Sequence, residues 1–310
     1  MPNLRGFTEA DGYFRIPRNV RFGKDVLFDT SNPVGKTYYV RNTGSNSNDG
    51  LSPSQPFLTL AYAVHSKAAA WDVIVVLPAS GTTMPAMLET DLPITITQNG
   101  LKIIGGMTSQ FQWGSPSIHT HATTSLFVIK AHMVEIAHLG IHHQGAGTSI
   151  EIAPDSANFH GWRTHIHDCY FGGNGDALKA ITVGGVGTDA PCTVIEDCYF
   201  QGYVTCNIYA NCGYGSTIRR CHFQVNASAI GIEYIPNGTS RPYGWLLDNR
   251  FTTPDNSAAI GIKVTNTPTA GYLFIDGNQF NYFANDAACI SKRTGYAGRN
   301  YLGITAIAIT

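Results

Sequence analysis

From residue 135 onward the chain repeats a seven-residue segment in which apolar and polar positions alternate up to a large closing residue. The copies are His165-Ile166-His167-Asp168-Cys169-Tyr170-Phe171, Val194-Ile195-Glu196-Asp197-Cys198-Tyr199-Phe200 and Thr217-Ile218-Arg219-Arg220-Cys221-His222-Phe223. Trp245-Leu246-Leu247-Asp248-Asn249-Arg250-Phe251 and Phe274-Ile275-Asp276-Gly277-Asn278-Gln279-Phe280 follow, and Glu135-Ile136-Ala137-His138-Leu139-Gly140-Ile141 is a looser first copy. The closing residues Ile141, Phe171, Phe200, Phe223, Phe251 and Phe280 are 30, 29, 23, 28 and 29 residues apart. Five positions before them runs an aliphatic column: Ile136, Ile166, Ile195, Ile218, Leu246 and Ile275. A second short strand pattern follows each copy, at 149–152, 180–183, 207–210, 231–234, 261–264 and 289–292. Its members Ile150, Ile181, Ile208, Ile232, Ile262 and Ile290 recur at 31, 27, 24, 30 and 28 residues. Two registers that drift together at one period predict stacked coils, each with two or three short strands. That is the rung of a single-stranded parallel β-helix, an all-β fold with rungs about 4.8 Å apart. The Ile and Phe columns face inward and their odd-offset neighbours face solvent.

The first 130 residues carry no such period. Residues 1–36, with Arg5, Arg15, Arg18 and Arg21 among single apolar residues, read as an extended arm or attachment segment, and 37–310 as the β-helix domain. A strand begins at Tyr38-Tyr39-Val40-Arg41, a polar loop runs to Gly50, and the Ala-rich run 58–71 is helix-compatible. The β-branched run at 72–77, with 94–97 and 101–106, completes the first coils. Here Tyr39-Val40, Gly44-Ser45, Asn48-Asp49-Gly50, Pro56-Phe57, Thr59-Leu60 and Ala63-Val64 resemble the opening cap of pectate-lyase-like right-handed parallel β-helices. That cap is frequent in bacteriophage tailspikes, other virion surface proteins and some polysaccharide lyases. The resemblance covers about residues 37–310 and implies the architecture, with a short N-terminal capping helix. It does not select an activity, because one fold hosts lyases, hydrolases and inert spikes.

Charge narrows the partners. Twenty Lys+Arg against 21 Asp+Glu give a formal net charge of −1, so no basic field is present to hold nucleic acid. No apolar run is long enough to cross a membrane, and the N-terminus does not read as a signal peptide. Seven cysteines without zinc-type spacing argue against a disulfide framework.

The candidate chemistry lies on the repeat. Asp168 and Asp197 occupy equivalent positions of adjacent rungs, at a separation fit for a retaining glycosidase pair, with Glu196 beside them. These three are the catalytic candidates if one partner has a raised pKa. The structural alternative is that the aspartates bond turn amides and Glu196 pairs with Arg219. Cys169, Cys198 and Cys221 fall in one column with Leu139, Asn249 and Asn278, as stacked interior thiols. Nine of the 11 histidines lie between 119 and 167, with His-x-His at 119–121 and 165–167. A His-x-His on a strand aims both rings at one face, and His165 and His167 point outward because Ile166 points in. The resemblance to some phage spikes implies that three such copies around a trimer axis hold an octahedral metal. No carboxylate or cysteine completes that set within one chain, so no metal or other cofactor is assigned. Tyr170 and Tyr199 form an outward aromatic column, with Trp162 and Tyr203 nearby, suited to a subunit interface or to stacking of sugar rings.

The resemblance with these residues implies a homotrimeric virion surface protein, assembled in the host cytoplasm. Residues 1–36 would attach it to other virion proteins, and its work would be particle stability or adhesion to host polysaccharide. The alternative is a glycosidase or polysaccharide lyase, and a third reading is a carbohydrate-binding module without catalysis.

Overall fold

The computed structural model describes residues 8–10, 13–15, 35–78, 87–106, 116–152, 161–185, 190–211, 214–235, 243–254, 258–265, 272–291, 296–297, 300–302 and 305–306. It divides into two compact units, Met1–Val34 and Gly35–Thr310. In the first, strands Thr8–Ala10 and Tyr13–Arg15 pair antiparallel, with Thr8 opposite Arg15 and Ala10 opposite Tyr13. The segment read as an extended arm therefore contains a hairpin.

The second unit is a right-handed parallel β-helix. Among the described residues its first sheet has ten strands, from Thr37–Val40 through His165–His167 to Tyr296–Ala297. Among the same residues the second also has ten, from Met87–Leu88 through Tyr170–Gly172 to Thr305–Ala306, and the third has eight, from Ile94–Ile96 to Ile290–Ser291. The chain visits the sheets in the order first, second, third, and each strand pairs in parallel with its equivalent one coil away. Only the final pair of the second sheet, Tyr301–Leu302 with Thr305–Ala306, is antiparallel among these ladders.

Each seven-residue segment is two strands, not one. His165–His167 lies in the first sheet and Tyr170–Gly172 in the second. The corner is made by a residue with positive φ at the same place in every copy: His138 (57°), Asp168 (53°), Asp197 (53°), Arg220 (53°), Asp248 (55°) and Gly277 (69°). Asp tolerates this left-handed conformation better than most residues, and Gly does so freely. Gly277 is fixed twice over, because a Cβ there would lie 2.1 Å from Asp248 Oδ1.

Inside, like stacks on like. Ile103, Ile136, Ile166, Ile195, Ile218, Leu246 and Ile275 are register partners along the first sheet, and all are buried. Phe171, Phe200, Phe223, Phe251 and Phe280 form a stack with every centroid 4.8 Å from the next and planes within 10°. That spacing is the distance between hydrogen-bonded strands, so the backbone ladder itself sets the ring contact. At the corner behind them Cys169, Cys198 and Cys221 are buried free thiols, each donating to a backbone carbonyl of its own coil. Burial raises the Cys198 thiol pKa well above its ordinary value, and its thiol neighbours raise it further. Asn249, Asn278 and Asn300 continue the column with linked side-chain amides.

The cap closes the first coil. Tyr39 N–H donates to Gly50 O (2.7 Å) and Phe57 N–H to Tyr39 O (2.8 Å), which folds the polar loop back on the first strand. Gly50 adopts φ +70°, and a Cβ there would strike the Phe57 ring at 2.2 Å. The helix-compatible run is helical over 60–67 only, as an α-turn at Leu60–Tyr62 and a π-turn at Ala63–Lys67. Thr59 caps it, and Leu60, Ala61, Ala63 and Val64 seal the core. The buried Glu89 carboxylate accepts the N–H groups of Leu60 (2.6 Å) and Ala61 (3.3 Å). Burial, which outweighs these two hydrogen bonds, pushes its pKa up to about 7.

Candidate functional site

Two outward faces carry chemistry. On the first sheet the outward positions hold a network of ion pairs spanning five coils. Lys102 Nζ bonds Glu135 Oε2 (2.6 Å), and His167 lies between two carboxylates, with Nε2 3.3 Å from Glu135 Oε1 and Nδ1 2.8 Å from Asp168 Oδ2. His165 Nε2 lies 2.9 Å from Glu196 Oε1. Arg219 Nε and Arg220 Nη2 both donate to Glu196 Oε2 at 2.6 Å, and Arg220 also grips Asp197 through Nε (2.9 Å) and Nη2 (2.6 Å).

These contacts overturn part of the acid/base expectation. Burial alone would raise the Glu196 pKa, but hydrogen bonds from Arg219 and His165, the Arg219 charge and the Arg220 bond together pull it down to about 2. Glu196 is thus an ionised carboxylate at any ordinary pH, the opposite of the raised acid that a glycosidase donor needs. It pairs with Arg219, as the structural alternative had it. Asp197, expected to bond turn amides, is held by the guanidinium of Arg220, the equivalent corner residue of the next coil.

His165 and His167 do point outward, with rings 4.2 Å apart, yet they take different partners. The expectation that nothing in the chain completes a ligand set with them is corrected. One ligand atom from each of His138, His167 and Asp168 lies within 4.8 Å of the others. His165 is outside that group, being drawn to Glu196 one coil further on. The other motif, at 119–121, does not share a strand face, since the strand ends at Thr120 and His119 packs on His142 at 4.4 Å.

The second sheet carries an aromatic ridge. His119 and His142 lead to Tyr170 (5.2 Å from His142), Tyr199 (5.6 Å, planes within 8°) and His222 (4.8 Å, edge-on). The polar ends are tied down: Gln201 donates to Tyr170 Oη, Tyr199 Oη donates to Gln224 Oε1 (3.0 Å), and His222 Nε2 lies 3.2 Å from Thr252 Oγ1. Burial lowers the pKa of His142 to about 4, with His119 adding to the effect, and burial followed by a nearby charge also lowers His119 and His222. Burial raises the phenols of Tyr170 and Tyr199. The ridge is therefore uncharged at neutral pH. Gly172 leaves room beside the rings, as a Cβ there would lie 2.9 Å from His142 Nδ1.

Two of the aromatic candidates do not join this ridge. Tyr203 is 1% exposed, with its hydroxyl bonded to Ser149 Oγ (2.8 Å) inside the core, so its placement on the surface is corrected. Trp162 is 40% exposed, but it sits in the turn leading into the first sheet, with Arg163 over its ring at 4.8 Å. Sequence reasoning missed His119, His142 and His222 as ridge members, although His222 shares the column of Tyr170 and Tyr199.

No family model and no curated protein matches the chain. Among solved structures a rhamnogalacturonan lyase superposes with a TM-score of 0.56 over 81% of this chain and 69% of that one, at 12% identity. A pectate lyase superposes at 0.35 (87% of this chain, 81% of that one, 12% identity). An open-reading-frame product of Geobacillus virus E2 superposes at 0.39 (96% and 64%, 13% identity). The fold is that of the pectate-lyase-like parallel β-helices, as the cap and the coil repeat imply.

Proposed function

We propose that this is a non-catalytic glycan-adhesion spike, a β-helix displayed on a bacteriophage particle as a homotrimer and assembled in the host cytoplasm. The observation that carries the adhesion reading is the second-sheet ridge. Flat, neutral rings held on a rigid sheet, with Gln201 and Gln224 at their edges, suit the apolar faces and hydroxyl rims of sugar rings. The first sheet supports the non-catalytic half, because Glu196 and Asp197 are both committed to arginine. The phage setting rests on the cap resemblance, and attachment through residues 1–36 belongs to the same reading.

The test is retention on immobilised bacterial surface polysaccharides, with the chain length of the eluted glycan measured. The parent protein is expected to be retained and to leave the glycan intact, while the Tyr170→Ala/Tyr199→Ala double variant, folded by circular dichroism, elutes in the void. Equal retention of the double variant overturns the assignment of the ridge. Shortened glycan, with cleavage lost on changing Asp168, Glu196 and Asp197 to Ala, establishes the polysaccharide-degrading alternative. Light scattering on the same preparation tests the trimer, which has a mass of about 100 kDa from three 33.5 kDa chains.

A further inference from the structure

We propose that His138, His167 and Asp168 form a binding site for a late first-row divalent cation, Zn²⁺ being the representative. The site would staple two successive coils at the corner between the first and second sheets. It is independent of the glycan reading and lies on a different face from the ridge.

Three observations converge. First, one donor atom from each side chain already lies within 4.8 Å of the others, and all three residues are partly buried. Two imidazoles and one carboxylate form a donor set that suits Zn²⁺, Co²⁺ or Ni²⁺ rather than the all-oxygen ions Ca²⁺ and Mg²⁺. Second, His138 Nδ1 is buried without a hydrogen-bond partner. A buried ring nitrogen left unpaired is unfavourable in the empty protein, and a bound ion on the imidazole changes that balance. Third, the surroundings supply the outer support that metal-bound histidines have. His167 Nε2 faces Glu135 Oε1 at 3.3 Å, and Lys102 holds the other Glu135 oxygen at 2.6 Å. This fixes the ring so that Nδ1 is directed toward Asp168 Oδ2, 2.8 Å away, and the cation takes the place of the proton these two atoms share. Backbone geometry holds the three together: His138 and Asp168 are equivalent left-handed corner residues, and His138 N–H donates to His167 O (3.3 Å).

The site is closed on the protein side by three ligands and leaves further coordination positions to water. On the glycan-adhesion reading its work is mechanical, and it locks one coil to the next beside the ion pairs of the first sheet.

The experiment uses the full chain without a polyhistidine tag, stripped with EDTA, and titrated calorimetrically with ZnCl₂. Co²⁺ absorption in the visible serves as an independent spectroscopic signature. One Zn²⁺ per chain is expected, with a rise in melting temperature, and CaCl₂ in its place should produce neither. His138→Gly is compatible with the corner, because Gly277 occupies the equivalent position with φ +69°. It should weaken Zn²⁺ binding at least tenfold and abolish the Co²⁺ bands. Asp168→Asn should do the same with the corner conformation kept, and Glu135→Gln should weaken binding roughly 10–100-fold through the outer contact. His165→Ala should leave binding unchanged. Absence of Zn²⁺ binding by the stripped chain overturns the proposal. So does parental affinity in both His138→Gly and Asp168→Asn, or loss of binding in His165→Ala with retention in His138→Gly.

Discussion

The outward faces of the first and second sheets share one backbone geometry and solve opposite problems. An in-register parallel sheet places equivalent residues of successive coils about 4.8 Å apart. On the second sheet this brings Tyr170 over Tyr199, and the repetition is favourable because flat neutral rings attract one another. On the first sheet repetition of a charge would be unfavourable, as two like charges about 5 Å apart repel by roughly 1–3 kcal/mol between water and a protein surface. Accordingly the column through Ala137, His167, Glu196, Arg219, Leu247 and Asp276 never places one charge beside its own sign. Where two carboxylates do occupy equivalent corners, Asp168 and Asp197, each has a cationic or imidazole group at hydrogen-bond distance. A β-helix can therefore repeat aromatic residues freely, whereas it must alternate charged ones.

The sharpest way to break this contrast is to force repetition on the charged face. Arg219→Glu removes the 2.6 Å bond to Glu196 and puts a second carboxylate one rung away. It should destabilise the fold by about 4 kcal/mol, the sum of an attraction lost and a repulsion gained. Urea unfolding at pH 7 measures it. At lower pH the deficit should shrink. Glu196 has its folded pKa depressed to about 2, so its contribution is fully present above the ordinary carboxylate value near 4.5 and disappears as pH falls through 2.

Glu89, at the start of the second sheet, gives the reverse pH signature. Its folded pKa of about 7 lies above the ordinary 4.5, so the native state holds a proton that the unfolded chain releases. Stability should therefore fall as pH rises from 4.5 through 7 and level off above that. Glu89→Gln keeps an acceptor for Leu60 N–H and removes the charge. It should match the parent near pH 4 and exceed it by about 3 kcal/mol at pH 8. A variant whose advantage does not grow with pH would show that the helix amides, not burial, dominate this carboxyl.

The smallest effect is expected on the ridge. Tyr199→Ala removes two ring contacts from a half-buried residue and should cost roughly 1 kcal/mol. A loss of 3 kcal/mol or more would mean that the ridge, like the inner phenylalanine stack, is a structural element.

What was legible in the sequence follows from which features recur at the coil period. The Phe, Ile and Cys/Asn columns could be read because each coil repeats the same inward residue, and all of them are buried where they were placed. The corner was less legible. His138, Asp168, Asp197, Arg220, Asp248 and Gly277 share a conformation and not a chemistry, so the break between the two strands of each segment has no common residue to mark it. The His138–His167–Asp168 group was hidden for the same reason, since it joins residues 29 and 30 apart whose neighbourhood exists only once the corner is formed. Tyr203 lies in a turn off the repeat, and no column tells whether such a residue faces in; its hydroxyl finds Ser149 two coils back. The antiparallel pair Thr8–Ala10 and Tyr13–Arg15 lies outside the coil repeat, so no column marks it.

The amide column at the corner has a sense of direction. Asn249 accepts Cys221 N–H and donates to Ile218 O, both one coil earlier. Asn278 does the same to Asn249 N–H and Leu246 O, and Asn300 to Asn278 N–H and Ile275 O. Each asparagine thus reads the coil before it and presents the same pair of groups to the coil after. A unit that fits its predecessor and recreates the same fitting surface makes length an adjustable property of the molecule. Whole coils can be inserted between Asn249 and Asn278, or removed there, with every corner amide still matched. The β-helix could then lengthen or shorten in steps of one rung, carrying its two faces along unchanged.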